Sequence, residues 1–253
     1  MNASIKQLIK LWLFWTLYFI TARLLFVVIN YDSVPEFSFS AILMSFWKGF
    51  KLDLSMIGYI SLLPGALAIC YNISPRKIWY KTLRMYNFIL ISCISPLVLS
   101  DAIMYSHWGT KLDIDALKFL RTPGVILSNL TLLQTVSLLV THIALIALSV
   151  YVFKKFVTPA KLAYKYSLKN LGLSLFFTLN LIWPIRGGFD IYPKFQLGIP
   201  IKISTAYFHH EIFYNHAAYN SIWHLGDILN HLDNSILNLP IDDFLPTSTS
   251  IEF

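Results

Sequence analysis

The segment Trp183-Pro184-Ile185-Arg186-Gly187-Gly188 closes the last long apolar run of the chain. Long apolar runs dominate the sequence before it, whereas the sequence after it is polar and rich in aromatic residues. Charged residues make up 13% of the chain, about half the share of about 25% that is typical of soluble domains. We therefore expect a transmembrane domain over residues 1–188 and a juxtamembrane segment over residues 189–253.

Five apolar runs approach the length of about 20 residues that a helix needs to cross a bilayer. They lie at about Leu8–Ile29, Leu54–Tyr71, Met85–Leu99, Leu130–Phe153 and Leu171–Ile185. Aromatic residues, 16% of the chain, gather near the ends of these runs, as they do at membrane interfaces. The sequence thus predicts an all-α, polytopic membrane protein with five transmembrane helices, of which the third has the least certain boundary.

Two amphipathic stretches predict short helices that lie along the membrane surface. The first is Phe39–Phe50, before the second span. The second lies in a polar loop that opens at Asp101, where apolar residues recur at helical spacing: Leu112, Ala116, Leu117 and Leu120.

Basic and acidic residues separate between the two sides of the predicted bundle. If the N-terminus is inside, the inside loops contain no Asp or Glu and hold Lys6, Lys10, Arg76, Lys77, Lys81, Arg84, Lys154, Lys155, Lys161, Lys165 and Lys169. The positive-inside rule then predicts a multi-pass protein of the cytoplasmic membrane with its N-terminus in the cytoplasm and its C-terminus outside. This orientation also accounts for the net charge of +7, so no nucleic-acid partner is expected.

Several polar residues lie within or beside the spans. Arg23 either faces a cavity or a partner carboxylate, or snorkels to the interface. Asp53 is expected in the first turn of the second span, where it favours the helix dipole, and Asp101 at the membrane edge. Gln134 and His142 lie eight residues apart on roughly one helix face. They line a polar path or bond to a neighbouring helix.

The juxtamembrane segment carries the residues that we expect to bind a lipid headgroup. Arg186 follows the fifth span directly, and an arginine can pair bidentately with a lipid phosphate. The adjacent glycines allow a sharp turn close to a ligand. The candidate headgroup residues are Arg186, Gly187, Gly188, Tyr207, Asn215, His216, Asn220 and Trp223. The alternative is an amphipathic interfacial helix that inserts Phe208, Ile212, Phe213 and Tyr219 and leaves its His and Asn residues in water.

Other chemistry has weak support in the sequence. His209, His210, Glu211 and His216 do not follow the HExxH spacing that places two histidines on one helical face, so no metal site is predicted. Cys70 and Cys93 fall in predicted spans, which argues against a disulfide framework. Nucleophile-elbow, P-loop and dinucleotide-binding motifs are absent from the sequence.

Four stretches, taken in order on a five-span chain, resemble the membrane part of the lipoteichoic acid synthase family. They are Phe46-Trp47-Lys48-Gly49-Phe50-Lys51-Leu52-Asp53-Leu54-Ser55, Asp101 to Leu120, Pro184-Ile185-Arg186-Gly187-Gly188, and Tyr207-Phe208 with Asn215-His216-Ala217-Ala218-Tyr219-Asn220-Ser221-Ile222-Trp223. The resemblance covers about residues 5–230.

The resemblance implies a phosphoglycerol transferase with an extracytoplasmic, sulfatase-like catalytic domain in the alkaline phosphatase superfamily. In that family the catalytic domain holds a Thr or Ser nucleophile and a divalent metal such as manganese. No residue of this sequence matches those groups, so we expect no catalytic residue, metal or other cofactor in this chain. We expect instead an anchoring and lipid-positioning domain, truncated before its catalytic domain and silent by itself. Its partners are then the bilayer, anionic lipid headgroups and a catalytic domain in cis or in trans.

Two other functions stay open at this stage. A membrane scaffold would recruit a separately encoded transferase on the outer face. A small transporter subunit would use Gln134, His142 and Arg23 as its polar path.

Overall fold

The computed structural model describes residues 3–34, 37–113, 131–157, 167–190, 196–197 and 201–231. Five of its helices are long and apolar enough to cross a membrane, which confirms the predicted all-α polytopic fold. The helices are α1 (Ala3–Ile29), α2 (Phe39–Ile73), α3 (Lys77–Trp108), α4 (Leu132–Phe156) and α5 (Leu168–Asn180). A short helix α6 (Ile182–Ile185) extends α5, so that the fifth candidate span runs over Leu168–Ile185.

The predicted surface helix Phe39–Phe50 is the first part of α2 and not a separate element. The 35-residue helix α2 begins at Ser38, whose hydroxyl accepts a hydrogen bond from the Ala41 N–H at 3.3 Å. Serine is a preferred N-cap because its oxygen satisfies a free amide of the first turn. Nothing in the following residues breaks the helix, and it continues through Pro64 to Ile73.

Helix α3 also extends beyond its predicted span. It runs to Trp108 and ends at Gly109, whose φ of 68° provides the left-handed C-cap that glycine adopts without strain. Asp101 therefore lies inside α3 and does not open a loop. Of the second predicted surface helix, Leu112 is described and buried, and the residues from 114 onward lie outside the described part of the chain.

The elements described within the C-terminal segment, defined here as residues 186–231, are short. Phe189–Asp190 (β1) and Gln196–Leu197 (β2) form an antiparallel pair, and Ile203–Ala206 is a turn of 3₁₀ helix. Another 3₁₀ turn, Tyr31–Ser33, lies between α1 and α2. Two helices follow, α7 (Ile212–Ala218) and α8 (Ser221–His231). Both pack against the end of the bundle where α1 and α3 end and α2 begins.

The core of the bundle combines aromatic packing with satisfied polar groups. Trp15 is fully buried and lies against Ile57 of α2 and Ile91 of α3. Its indole N–H donates to Asn87 Oδ1 at 3.0 Å. Asn87 makes the third span less apolar in sequence, yet its side chain is buried and hydrogen-bonded, as buried polar groups in membranes require.

Three glycines of α2 let other elements approach closely. A methyl group at Gly49 would overlap the Ala218 carbonyl and the Arg23 guanidinium, and one at Gly65 would lie 2.5 Å from the Thr178 hydroxyl in α5. A methyl at Gly58 would lie 2.8 Å from the Ile185 side chain in α6. Small residues at such contacts are typical of helix packing in membranes. Helix α2 is therefore the central element against which α5, α6 and α7 pack.

Candidate functional site

A five-residue junction, Ala217–Ser221, joins α7 to α8. All five residues are buried, and the most exposed of them, Asn220, has 9% of its surface accessible. The junction lies between two buried ion pairs, one from α1 and α2 and the other from α3 and the residues after it. We call these four charged residues and the junction the charge clamp.

Arg23 supplies the first cation of the charge clamp. Its Nη2 lies 2.8 Å from Asp53 Oδ2. The same guanidinium donates from Nε to the Ala217 carbonyl at 2.9 Å and from Nη2 to the Ala218 carbonyl at 3.0 Å. Arginine suits this position because its planar fork makes several hydrogen bonds at fixed angles.

Lys111 supplies the second cation. Its Nζ lies 3.2 Å from Asp101 Oδ2 and donates to the Tyr219 carbonyl at 2.9 Å. The ammonium also lies over the rings of Phe26 and Tyr219, 4.6 Å and 5.1 Å from their centroids, which adds cation–π attraction. Burial lowers the pKa of Lys111, and the Asp101 carboxylate opposes this shift.

The two carboxylates contact the start of α8. Asp53 Oδ1 accepts from Asn220 Nδ2 at 2.9 Å, and Asp101 Oδ2 accepts from the Ser221 hydroxyl at 2.6 Å. Asp101 Oδ1 also accepts from the backbone N–H of Leu112 at 2.9 Å. Asn220 Oδ1 in turn accepts from the Trp223 N–H at 2.9 Å, which makes Asn220 the N-cap of α8.

The charges match the polarity of the helix ends that they contact. The last carbonyls of α7 have no partners within the helix and carry its negative dipole end, which Arg23 and Lys111 complement. The first turn of α8 is the positive end, which Asp53 and Asp101 complement. Since removing one partner of a buried ion pair costs about 3–5 kcal/mol, the charge clamp fixes the junction to the three helices.

This geometry corrects three expectations from the sequence. Arg23 is paired with a buried carboxylate and does not snorkel, because its side chain is only 3% exposed. Asp53 is not in the first turn of a helix: it is a buried residue well inside α2. Asp101 is likewise buried within α3. The sequence missed their partners Lys111 and Ser221, because only the fold brings them together.

The alternative of water-exposed His and Asn residues in the C-terminal segment holds for His210, which is exposed, and is wrong for three others. Asn215, His216 and Asn220 are all buried. Asn215 Oδ1 accepts from the N–H groups of Phe208 and His209, and its Nδ2 donates to the His209 carbonyl at 2.7 Å. Its polar atoms thus hold the turn before α7. Burial lowers the pKa of His216 to about 4, and its ring packs edge-on against Tyr105 at 5.4 Å.

The residues around Arg186 form a turn after α6. Gly187 and Gly188 have φ angles of 87° and 99°, a region that glycine occupies without strain. Gly187 lies against Ile201, and Arg186 is partly exposed with a buried Nε that has no hydrogen-bond partner among the described residues. Tyr207 is about half exposed. Headgroup binding by Arg186 and Tyr207 stays a prediction.

Trp223 lines a groove of about 520 Å³ between α2, the residues Ile201 and Lys202, and α8. We call it the junction groove. Tyr59 and Lys202 also line it, and the Tyr59 and Trp223 rings lie 6.4 Å apart at 66°. The Trp223 indole N–H donates to the Leu52 carbonyl at 3.0 Å, which holds the ring in place. Tyr59 lies inside an apolar run and Lys202 is isolated, so neither stands out in the sequence.

His142 and Arg23, which the transporter alternative places on one polar path, have different partners in the structure. His142 Nδ1 lies 2.7 Å from the Leu138 carbonyl, and its Nε2 lies 3.5 Å from the Ser100 hydroxyl. Arg23 belongs to the charge clamp, and the side chain of Gln134 is outside the described part of the structure. Within the described residues, no group of three or more His, Cys, Asp or Glu is placed to hold a metal ion.

Comparison of the chain with protein-family models, curated proteins and solved structures found no match. The resemblance to the lipoteichoic acid synthase family therefore stays a hypothesis from sequence motifs.

Proposed function

We propose that this chain is the anchoring and lipid-positioning part of a sulfatase-family transferase of the phosphoglycerol or phosphoethanolamine type, similar to the lipoteichoic acid synthases. It acts at the outer face of the cytoplasmic membrane, with its N-terminus in the cytoplasm. The position of the basic residues supports this orientation, since Lys6, Lys81 and Lys154 lie at the end of the bundle remote from the C-terminal segment.

The charge clamp is the observation that carries the proposal. A simple tether needs only apolar helices and a flexible linker. Here the segment after the last span is held by four buried charges, and desolvating each costs several kcal/mol. Such an arrangement is suited to fix the position of whatever the C-terminal segment binds. The junction groove lies directly beside the clamp, since Trp223 and Asn220 are hydrogen-bonded to each other.

The junction groove has the chemistry of a lipid headgroup site. Lys202 is exposed and makes no ion pair within the described part of the chain, so it is available to a phosphate, while the Asp227 carboxylate also lines the groove. Tyr59 and Trp223 present aromatic surface of the kind that is enriched at membrane interfaces. Met56 and Ile222 add an apolar wall for the start of an acyl chain. Lipid positioning then means holding the phosphate at Lys202 while a catalytic domain transfers the headgroup.

The transfer itself requires chemistry from a sulfatase-like domain, in cis or in trans. The residues described here contribute binding and position only. A divalent metal such as manganese would be bound by that catalytic domain and not by the residues described here.

The test is selective lipid retention. The protein is reconstituted in nanodiscs that contain equal amounts of phosphatidylglycerol and phosphatidylcholine with the same acyl chains, and retained lipids are counted by native mass spectrometry. We expect Lys202→Gln to lower the retained ratio of phosphatidylglycerol to phosphatidylcholine about fivefold, since one cation near an anionic headgroup contributes about 1 kcal/mol. Lys51→Gln is the matched control, because Lys51 is also exposed and lies at the same end of the bundle.

Two outcomes would overturn the proposal. An unchanged ratio in Lys202→Gln would remove the headgroup site. The second outcome concerns the proteins that co-purify with the chain from native membranes. If the protein retains phosphate lipids but co-purifies with a soluble partner that is not a transferase, the scaffold function is favoured instead.

A further inference from the structure

A second groove, of about 510 Å³, lies between α3 and α4 at the end of the bundle remote from the C-terminal segment. We call it the basic groove. Three cations line it: Lys81 and Arg84 from α3 and Lys154 from α4. Lys81 and Arg84 are three residues apart and so share one face of α3. Cations from two helices thus meet over one groove.

The three cations have no anionic partner among the described residues. All three are exposed, and none makes an ion pair or a side-chain hydrogen bond within the described part of the chain. The sequence contains no Asp or Glu between Asp53 and Asp101, or between Asp115 and Asp190. The groove therefore concentrates positive charge that an external anion is suited to neutralise.

The rest of the basic groove is apolar. Met85 and Phe88, both more than half exposed, line it from α3, and Val150 lines it from α4. Helix α4 buries only 11% of its most apolar window inside the protein, so hydrocarbon reaches this surface. A ligand that fits has a phosphate at one end and an acyl chain at the other.

We propose that the basic groove is a binding site for one anionic glycerophospholipid, whose phosphate lies among Lys81, Arg84 and Lys154 and whose acyl chain lies along Met85, Phe88 and Val150. Basic pockets between transmembrane helices bind such headgroups. The site lies at the opposite end of the bundle from the junction groove, so this proposal is independent of the proposed function.

Membrane orientation alone does not account for this arrangement. The positive-inside rule requires basic residues near the helix ends, and exposed Lys6, Lys77 and Lys155 satisfy it without lining the basic groove. It does not require that cations of two helices converge over an apolar groove. These three lysines provide the matched control.

The experiment compares two triple variants by native mass spectrometry from nanodiscs that contain phosphatidylglycerol and phosphatidylcholine. The first is Lys81→Gln, Arg84→Gln and Lys154→Gln, and the control is Lys6→Gln, Lys77→Gln and Lys155→Gln, which removes the same charge. We expect the first to weaken phosphatidylglycerol retention at this site about a hundredfold and to remove one such lipid per chain, since each of its three cations contributes about a factor of five. We expect the control to change it about twofold or less.

A second variant tests the apolar part without changing charge. Val150→Trp fills the groove and is expected to reduce retained phosphatidylglycerol by one molecule per chain. Soluble glycerol phosphate is expected not to compete, because it lacks the acyl chain. Equal losses in both triple variants, competition by soluble glycerol phosphate, or a second copy of the chain at this face in native mass spectra would overturn the proposal. Lys202→Gln leaves the lipid bound here unaffected, so the two proposals fail separately.

Discussion

Arg23 and Asp53, thirty residues apart in sequence, form a buried ion pair of 2.8 Å between α1 and α2. The pair also holds the junction between α7 and α8, since Arg23 donates to the carbonyls of Ala217 and Ala218 and Asp53 accepts from Asn220. Three parts of the chain that are distant in sequence are therefore fixed by one guanidinium and one carboxylate.

Breaking this pair on one side should destabilise the protein strongly. We expect Arg23→Met to lower the free energy of unfolding by about 3–5 kcal/mol, because Asp53 is left buried without its cation. The double variant Arg23→Met with Asp53→Leu should recover most of this loss, since apolar replacements of a buried pair are often neutral. Thermal unfolding in detergent measures both. A double variant as unstable as the single one would show that the contacts to the junction, and not the ion pair, hold the segment.

Gly49 should tolerate no side chain. We expect Gly49→Ala to displace α7 from α2, because the added methyl group would overlap the Ala218 carbonyl and the Arg23 guanidinium. Limited trypsin proteolysis should then cleave faster after Lys202 in the displaced segment. Gly172→Ala in α5 is the control, since nothing lies within 4 Å of a methyl group there. Equal cleavage rates in the two variants would contradict the close packing.

The variant Asn215→Ala distinguishes a structural role of Asn215 from a role in headgroup binding. Its polar atoms hold the Phe208 and His209 backbone, so we expect Asn215→Ala to cost about 1–3 kcal/mol of stability through unsatisfied buried groups. Asn230→Ala, in an exposed position of α8, should cost little. If Asn215→Ala instead weakened phosphatidylglycerol retention at unchanged stability, Asn215 would be a headgroup ligand.

Stability should fall in mild acid because of His216. The ordinary pKa of histidine is about 6.5, and burial lowers the pKa of His216 to about 4. Between these values the unfolded chain binds a proton that the folded chain does not. The free energy of unfolding therefore decreases as the pH falls from about 6.5 to about 4. Below about 4 this contribution is constant, and above about 6.5 it vanishes.

His216→Phe tests this effect. We expect the loss of stability between pH 7 and pH 4.5 to be smaller in this variant by about 2 kcal/mol. His210→Phe is the matched control, because His210 is exposed. Partly buried His224, whose pKa is also lowered by burial, contributes in the same direction in all three proteins. Identical pH profiles for the wild type and His216→Phe would contradict the burial of a neutral His216.

The five helices could be predicted from the sequence because each depends on its own residues. Hydropathy over about 20 residues is a local property, and a bilayer selects for it directly. The boundaries of the helices are harder to predict from the sequence. Ser38 and Gly109 set the start of α2 and the end of α3, and these caps extend both helices beyond the apolar runs.

The polar residues show the limit of local reasoning. From the sequence, Asp53 and Asp101 are assigned to a helix end and a membrane edge, and Arg23 stays open between snorkelling and a partner carboxylate. Their partners come from positions up to about 200 residues away, and no spacing rule connects them. Asn215 and His216 are predicted to bind a headgroup or, in the alternative, to face water, whereas the structure buries both of them.

The sequence by itself determined that this protein is a helical membrane protein of five spans, because the apolar length and low charge of each run are sufficient for that structure. The tertiary structure alone decided that four charges are buried in pairs around the junction of α7 and α8. The physical reason is that burying a charge is favourable only when a partner and hydrogen-bonding groups surround it, and those groups are assembled by packing several distant segments together.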